Sequence, residues 1–160
     1  MKKEPVWVPK NVVLALHDAL LSEHGGQWGL RDDALLDSAL ARPRPLLSYG
    51  DPNLFGLATA YVNGILRNHP FIDGNKRTGF MTGYVFLARN GKQLIAPEPQ
   101  ATQLAIGLAA GRMTEQEFTA WLEQNCSGDN GLPLPRGCID RGDFTAESAE
   151  TAKKILYVEN

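Results

Sequence analysis

This 160-residue chain has little of what would place a protein in a class at first sight. Its two cysteines, Cys126 and Cys138, have neither CxxC nor Cys/His ligand spacing, which argues against a disulfide framework or a zinc site. Sixteen basic and 18 acidic residues leave a net charge of −2, which gives no field for attracting nucleic acid or an anionic membrane. No apolar run is long enough to cross a bilayer.

What remains is a chain of a length that suits one domain with a proper hydrophobic core. No signal peptide is visible, because the first residues, MKKEP, soon bring charge and proline. Two free thiols suit the reducing cytoplasm, although a disulfide between Cys126 and Cys138 is the alternative. We therefore expect a cytoplasmic protein that contacts neither nucleic acid directly nor a membrane.

Hydrophobic periodicity predicts helices along most of the chain and a short extended piece at residues 92–95. The second helix should end at residues 42–45, Arg-Pro-Arg-Pro. The predicted helices cover residues 11–23, 33–41, 51–68, 75–90, 101–110 and 114–124. The expected fold is all-α, a compact bundle of about six helices around a central buried helix.

The helix over residues 75–90 is the one expected at the centre. Asn75 is a suitable N-cap, no proline interrupts the stretch, and Gly91 ends it. The apolar residues of this helix are Phe80, Met81, Tyr84, Val85, Phe86 and Leu87. They cover more than one face, which is typical of a helix surrounded by others.

The composition changes after residue 126. Residues 127–131, Ser-Gly-Asp-Asn-Gly, are typical of a linker, and Pro133 and Pro135 keep the chain extended. Residues 145–158 are compatible with a short helix. We therefore assign residues 1–126 to the compact domain and residues 127–160 to a linker and C-terminal tail of unknown role.

Phosphate-binding residue types are concentrated at the predicted start of the central helix. A helix N-terminus presents unpaired N–H groups and the positive end of its dipole, and both favour an anion. Gly74 allows the backbone to approach a ligand closely, while Lys76 and Arg77 add charge for a phosphate.

Two further residues of the same stretch could act on a bound phosphate. Asp73 is a hard oxygen ligand of the kind that Mg²⁺ accepts. His69 lies across the turn, where it could take a proton from an attacking hydroxyl. The alternative is an ordinary turn with solvated cations and a structural histidine, but the combination indicates phosphoryl or nucleotidyl transfer.

Residues 69–78, HPFIDGNKRT, resemble the Fic motif, whose usual form is HPFx(D/E)GNGRxxR, and more closely its Doc (death-on-curing) branch. Doc-type proteins carry Asn-Lys-Arg where Fic enzymes carry Asn-Gly-Arg, and Asn75, Lys76 and Arg77 stand at that place. The second arginine of the Fic motif is replaced by Phe80, and Doc proteins also have an apolar residue there. The likeness covers about residues 5–125.

Upstream stretches are also similar to Doc-like chains: Leu-His-Asp-Ala at residues 16–19, then glycines 25, 26 and 29, then Arg-Asp at 31–32 before a leucine-rich helix. We interpret His17 as a structural histidine that is hydrogen-bonded to a loop. We interpret the glycine-rich loop as a plain turn around a packed Trp28 indole, with a flap beside the substrate as the alternative.

The resemblance implies a Doc-type toxin that transfers the γ-phosphate of ATP to a Ser/Thr hydroxyl of translation elongation factor Tu and so blocks translation. ATP and Mg²⁺ are the substrate and cofactor that it implies. Lys76 puts a bulky ammonium where the rest of the triphosphate would thread in the usual Fic pose, and Phe80 removes a phosphate-binding guanidinium. Both changes favour a nucleotide that binds the other way round.

The family roles carry over to matching positions of this sequence. His69 would be the general base and Asp73 the Mg²⁺ ligand. The catalytic set implied is His69, Asp73, Lys76 and Arg77. The nucleotide-binding set implied is Gly74, Asn75, Lys76, Arg77 and Arg67. Doc-like proteins carry an arginine at position 67, although this residue would also complement a helix dipole.

Two other functions remain open at this stage. One is Fic-type adenylylation, in which the hydroxyl attacks the α-phosphate and receives AMP, and the other is a catalytically silent module that only binds an antitoxin. The resemblance implies a cognate, Phd-like antitoxin in either case, with a disordered end that folds into a helical groove. A tail that inhibits in cis from that groove is a further alternative.

Overall fold

The computed structural model describes residues 4–95 and 98–127. This part of the chain forms seven helices and one short two-stranded sheet. The elements are α1 (Lys10–His24), α2 (Asp33–Ala41), α3 (Pro43–Tyr49), α4 (Leu54–Asn68), α5 (Asn75–Arg89), β1 (Gln93–Leu94), α6 (Glu98–Ala109), α7 (Glu115–Asn125) and β2 (Cys126–Ser127). The predicted all-α fold is confirmed, and each of the six predicted helices is present.

Helices α4 and α5 form the centre of the bundle. Residues 57–66 of α4 are all buried, and Phe86 of α5 has no exposed surface. The two helices run antiparallel, since Gly79 faces Val62 while Gly83, one turn later, reaches back to Ala58. Helices α1 and α6 pack on α5, whereas α2, α3 and α7 pack on α4. The prediction of a central, buried α5 is therefore confirmed.

Side-chain caps begin three of the outer and central helices. Asp32 caps α2 and Asn53 caps α4, each by accepting a hydrogen bond from a first-turn amide at 3.1 and 2.9 Å. Thr114 and Glu117 form a reciprocal capping box at the start of α7. These local signals depend on neighbouring residues alone, so they could be read from the sequence.

The predicted N-cap of α5 is wrong. The cap is Gly74, with φ 80°, and Asn75 is already helical because its side chain is used elsewhere. Helix α2 ends at Ala41 as predicted, but a further helix that was not predicted, α3, begins at Pro43, since the first turn of a helix needs no proline N–H. Arg42 keeps helical dihedral angles and joins α2 directly to α3.

The N-terminal segment lies across the end of α5 that is remote from Gly74. The Asn90 side chain accepts a hydrogen bond from the Val6 amide at 2.8 Å and donates one to the Val6 carbonyl at 3.0 Å. The Trp7 indole stacks on Phe86 with ring centroids 6.0 Å apart. One end of α5 is thus attached to the N-terminal segment, which leaves the other end for the turn from α4.

The described chain ends in β2, which pairs with β1 in antiparallel register, Leu94 opposite Cys126. Cys126 forms no disulfide with a described residue, and burial raises its pKa to about 11. Cys138 and the predicted linker and tail lie outside the described residues, apart from Ser127, so the domain boundary remains a prediction. Of the described helices, none combines the length and apolar composition that a membrane crossing needs.

A glycine-to-alanine pair tests the close contact between α4 and α5. A Cβ on Gly83 would lie 2.5 Å from Val62 Cγ2, whereas a Cβ on Gly107 of α6 meets nothing nearer than 4.0 Å. We expect Gly83→Ala to lower the free energy of unfolding by about 1–3 kcal/mol through overpacking. Gly107→Ala should raise it by up to about 1 kcal/mol, because alanine favours a helix.

Urea denaturation of both variants measures these free energies. Equal changes in the two proteins would mean that Gly83 is not a contact point between the central helices.

Candidate active site

The chain passes from α4 to α5 through residues 69–74, and both ends of this turn are left-handed. His69 has φ 50° and ψ 53°, and it is the one non-glycine residue with positive φ in the described part. Such a conformation costs roughly 1 kcal/mol for a residue with a Cβ. The His69 amide donates to the Ile65 carbonyl at 3.0 Å and ends α4. The turn leaves His69 exposed beside the first turn of α5.

The Asn75 side chain holds the middle of the turn. Its Oδ1 accepts a hydrogen bond from the Phe71 amide at 3.0 Å, and its Nδ2 donates to the Phe71 carbonyl at 2.9 Å. Asn75 is 4% exposed and Phe71 is fully buried, so both bonds are made away from water. An unpaired buried backbone group costs about 1–3 kcal/mol, which explains why an amide side chain is needed here.

His17 of α1 packs against the turn and is hydrogen-bonded to it. It is buried, its ring stacks on Phe71 at a centroid distance of 3.8 Å, and its Nε2 donates to the Asp73 carbonyl at 2.8 Å. The carbonyl can only accept, so the hydrogen-bond geometry assigns a proton to Nε2. The prediction that His17 bonds a loop is confirmed, and that loop is the candidate site itself.

The glycine-rich segment at residues 26–32 runs alongside the turn and supplies backbone partners to it. The Gln27 amide donates to Asp73 Oδ2 at 3.2 Å, and the Ile72 amide donates to the Gly29 carbonyl at 3.1 Å. The amides of Arg31 and residue 32 both donate to the carbonyl of residue 70, at 2.7 and 3.0 Å. The segment is therefore one wall of the site.

This finding corrects the interpretation of the loop as a plain turn around a packed indole. Trp28 is 55% exposed, so its ring does not anchor the loop. The glycines instead allow the backbone of the loop to lie close to the turn. A Cβ on Gly26 would lie 2.7 Å from Asp73 Oδ2, and one on Gly29 would lie 2.9 Å from Ile72 Cδ1. Both glycines also have positive φ, of 125° and 124°. Their spacing was the sequence signal for this contact.

The cations of the site remain available. Arg67, Lys76 and Arg77 are exposed, and their side chains make no ion pair or hydrogen bond with any of the residues that the structure describes. The first-turn amides of α5 have no partner within the helix, and its dipole adds positive potential there. The start of α5 therefore attracts an anion with several donors, which is the requirement for holding a phosphate.

Asp73 is the carboxylate of the site, and backbone amides orient it. Its Oδ1 accepts from the Gly74 amide at 2.8 Å, and its Oδ2 accepts from Gln27. No cluster of three or more His, Cys, Asp or Glu side chains suited to a metal occurs among the described residues. A Mg²⁺ ion held by Asp73 would therefore have to take most of its ligands from phosphate and water, as this ion commonly does.

The structure brings the predicted site residues to one turn and the adjoining helix ends. His69, Asp73 and Gly74 belong to the turn, and Lys76 and Arg77 to the first turn of α5. Arg67 occupies the last turn of α4. Asn75 lies where it was predicted, but its side chain is bonded to Phe71, so only its backbone amide is available to a ligand. Whether these residues bind a ligand remains a prediction.

Comparisons with known proteins identify relatives of this chain by sequence. Residues 7–87 match the family model described as the Fic/DOC family. The chain is 33% identical over 103 residues to the Protein kinase doc of Escherichia phage P1, covering 64% of this chain and 81% of that protein. It is 43% identical over 74 residues to Toxin Doc of Mycolicibacterium smegmatis, covering 45% of this chain and 57% of that protein.

Neighbouring glycines test the wall of the site. Gly25 and Gly26 both have positive φ, so alanine strains either position, but only a Cβ on Gly26 meets Asp73; on Gly25 it meets nothing within 4 Å. We expect Gly26→Ala to displace the Asp73 carboxylate and shift the amide NMR resonances of Gln27 and Gly74, which it accepts from. Gly25→Ala should leave the Gly74 resonance in place; identical spectra for the two variants would contradict the proposed wall.

Two asparagines test the interaction that holds the turn. Asn75→Ala leaves both buried backbone groups of Phe71 unpaired, and we expect it to lower the free energy of unfolding by about 2–4 kcal/mol. Asn53→Ala removes a single N-cap bond and should cost about 1 kcal/mol. Thermal or urea unfolding measures both, and an Asn75→Ala variant no less stable than Asn53→Ala would refute the role given to Asn75.

Proposed function

Because this chain belongs to the Fic/Doc family, on its Doc branch, we propose that it is a toxin that phosphorylates a protein. The γ-phosphate of ATP would pass to a serine or threonine hydroxyl, and translation elongation factor Tu is the proposed target. One of the relatives is named a protein kinase and another a toxin, which supports a toxin with transferase activity. Blocked translation in the cytoplasm would be the consequence.

The observation that carries the proposal is the pairing of an exposed histidine with an anion site. The His69 imidazole makes no hydrogen bond to a described residue, and His69 begins the turn whose other end is the start of α5, where the amides are unpaired. Lys76 and Arg77 add two cations without carboxylate partners in the described chain. A phosphate at the start of α5 would thus lie between fixed positive charge and a base.

In the proposed reaction, His69 accepts the proton of the target hydroxyl as its oxygen attacks the γ-phosphorus. The bond from the γ-phosphorus to the bridging oxygen breaks, and ADP leaves. Lys76, Arg77 and the first-turn amides of α5 hold the transferred and neighbouring phosphates, and Arg67 supports them. Positioning and electrostatic stabilisation supply most of the rate in such transfers.

Asp73 is the residue that would hold Mg²⁺. When bound, this ion would neutralise the negative charge that develops on the phosphate oxygens. The amides of Gly74 and Gln27 keep the carboxylate turned toward the start of α5, and each of its oxygens retains a further lone pair for a ligand.

The residues after the turn favour transfer of phosphate over transfer of AMP. Phe80 is half-buried and packs against the core, so no guanidinium stands one turn beyond Arg77. Lys76 is exposed at the helix start, in the place of a glycine in Fic enzymes. Both features weaken the Fic nucleotide pose and support the inverted one. Adenylylation stays the second candidate and is separated by the experiment below.

A toxin of this branch needs a partner that silences it. We propose a Phd-like antitoxin whose disordered end folds into a helical groove on this protein. A groove of about 660 Å³ between α2, α3 and α4 is a candidate, because its wall includes the exposed Leu46 and Tyr49. Its charged side chains are Arg42 and Glu115, which are joined at 2.8 Å.

The test incubates the purified protein with Mg²⁺, elongation factor Tu and ATP labelled at either the γ- or the α-phosphate. We expect label from the γ-phosphate only. His69→Ala should reduce transfer by about 10²–10⁴-fold, since it removes the base. Asn53→Ala is the control, because Asn53 lies at the start of α4, the end of that helix that is remote from the turn.

Each other result has a defined meaning. Label from the α-phosphate would make the protein an adenylyltransferase. A folded and fully active His69→Ala variant would refute the role of His69. No transfer from either label would contradict the proposed kinase and favour a module that only binds an antitoxin.

A further inference from the structure

The Arg31 side chain binds the backbone carbonyls before and after the α-carbon of His69. Its Nη2 donates to the Asn68 carbonyl at 2.8 Å, and its Nε donates to the His69 carbonyl at 2.7 Å. Its own amide also donates to the next carbonyl, that of Pro70, at 2.7 Å. One residue thus satisfies three consecutive carbonyl oxygens.

These carbonyls need an outside partner. The last carbonyls of a helix have no intrahelical donor, and the left-handed turn at His69 directs the chain away from further helical bonds. A non-glycine residue in that conformation persists only where its surroundings hold it. The structure therefore shows a strained residue carrying the proposed base, with a guanidinium bound to its backbone.

We propose that Arg31 is a positioning residue for His69, and this inference rests on the proposed function of His69 as general base. By holding the carbonyls before and after the strained residue, Arg31 sets where the imidazole stands relative to the start of α5. It does not touch the nucleotide in this role. The donors that it uses, Nε and Nη2, are already occupied by the turn.

The position of Arg31 is itself well defined. The next residue, Asp32, caps α2 by accepting a hydrogen bond from the Leu35 amide at 3.1 Å. Asn68 donates through its side chain to the Leu35 carbonyl at 2.9 Å, so Asn68 is bonded both to the first turn of α2 and to Arg31. The Arg31 guanidinium therefore extends from the segment just before α2, and α2 is itself bonded to Asn68, one of the two residues that the guanidinium holds.

The two-pronged contact explains why arginine is needed. A guanidinium is planar and carries several N–H donors in a rigid fork, so it can serve two neighbouring carbonyls at once. A lysine ammonium is a point charge on a flexible stem and would hold one carbonyl with poorer direction. Arg31→Lys should consequently restore only part of what Arg31→Ala loses.

The test compares Arg31→Ala, Arg31→Lys and Arg112→Ala in the full-length protein. Arg112 is exposed in the turn before α7 and serves as the matched loss of a charge. We expect Arg31→Ala to lower kcat for phosphate transfer by about 10²-fold with KM for ATP changed less than about threefold, as for a misplaced base. Arg31→Lys should recover part of kcat, and Arg112→Ala should match the wild type.

Hydrogen exchange provides a readout that is independent of activity. In Arg31→Ala the amides of His69 and Ile72 should exchange faster, while those in the centre of α4 and α5 stay protected. Unchanged exchange in the turn, or an unchanged kcat, would overturn the proposal. Equal loss of protection throughout the protein would do so as well, because it would mean a general structural role. A wild type that transfers no phosphate would contradict the proposed function, and exchange would then decide alone whether Arg31 holds the turn.

Discussion

The double hydrogen bond between the Asn75 side chain and the Phe71 backbone is the interaction on which the site depends. It closes the turn between the two central helices in a place that water does not reach. Without it, a buried amide and a buried carbonyl would stay unpaired, and the left-handed residues at the ends of the turn would lose their shared support. A side chain with one donor and one acceptor is required, and asparagine is short enough to provide both from the first position of α5.

The rest of the turn has its partners outside itself. His17 of α1 donates to the Asp73 carbonyl, Gly29 accepts from the Ile72 amide, and Arg31 holds the carbonyls around His69. These partners lie upstream of α4, so the site forms only when the first third of the chain packs against the centre. Such non-local assembly suits a site whose exposed groups must stand at fixed distances, because it places them on rigid elements rather than on a free loop.

Much of this fold could be predicted because its signals are local. Six helices, the caps at Asp32 and Asn53 and the capping box at Thr114 follow from neighbours within one turn. The errors arise where a tertiary contact decides. Asn75 is a good N-cap by type, but its bonds to Phe71 leave the cap to Gly74; Trp28 should pack by type, yet the glycines beside it bring the backbone itself against the turn. No pattern in one sequence shows which partner across the fold a side chain will find.

The polar residues of the site have two different roles, and the burial of each side chain distinguishes the two groups. Asn75 and His17 are buried and bonded to backbone, so they build the turn, whereas His69, Lys76 and Arg77 are exposed and make no side-chain bond within the described chain. At the other end of α5, the Asn90 side chain is bonded to both backbone groups of Val6. At each end of the central helix, an asparagine side chain thus binds both the N–H and the C=O of one residue and so attaches the helix to a neighbouring segment. The difference in chemistry comes from the helix direction: only the end with unpaired N–H groups attracts an anion, and the uncompensated cations are gathered there.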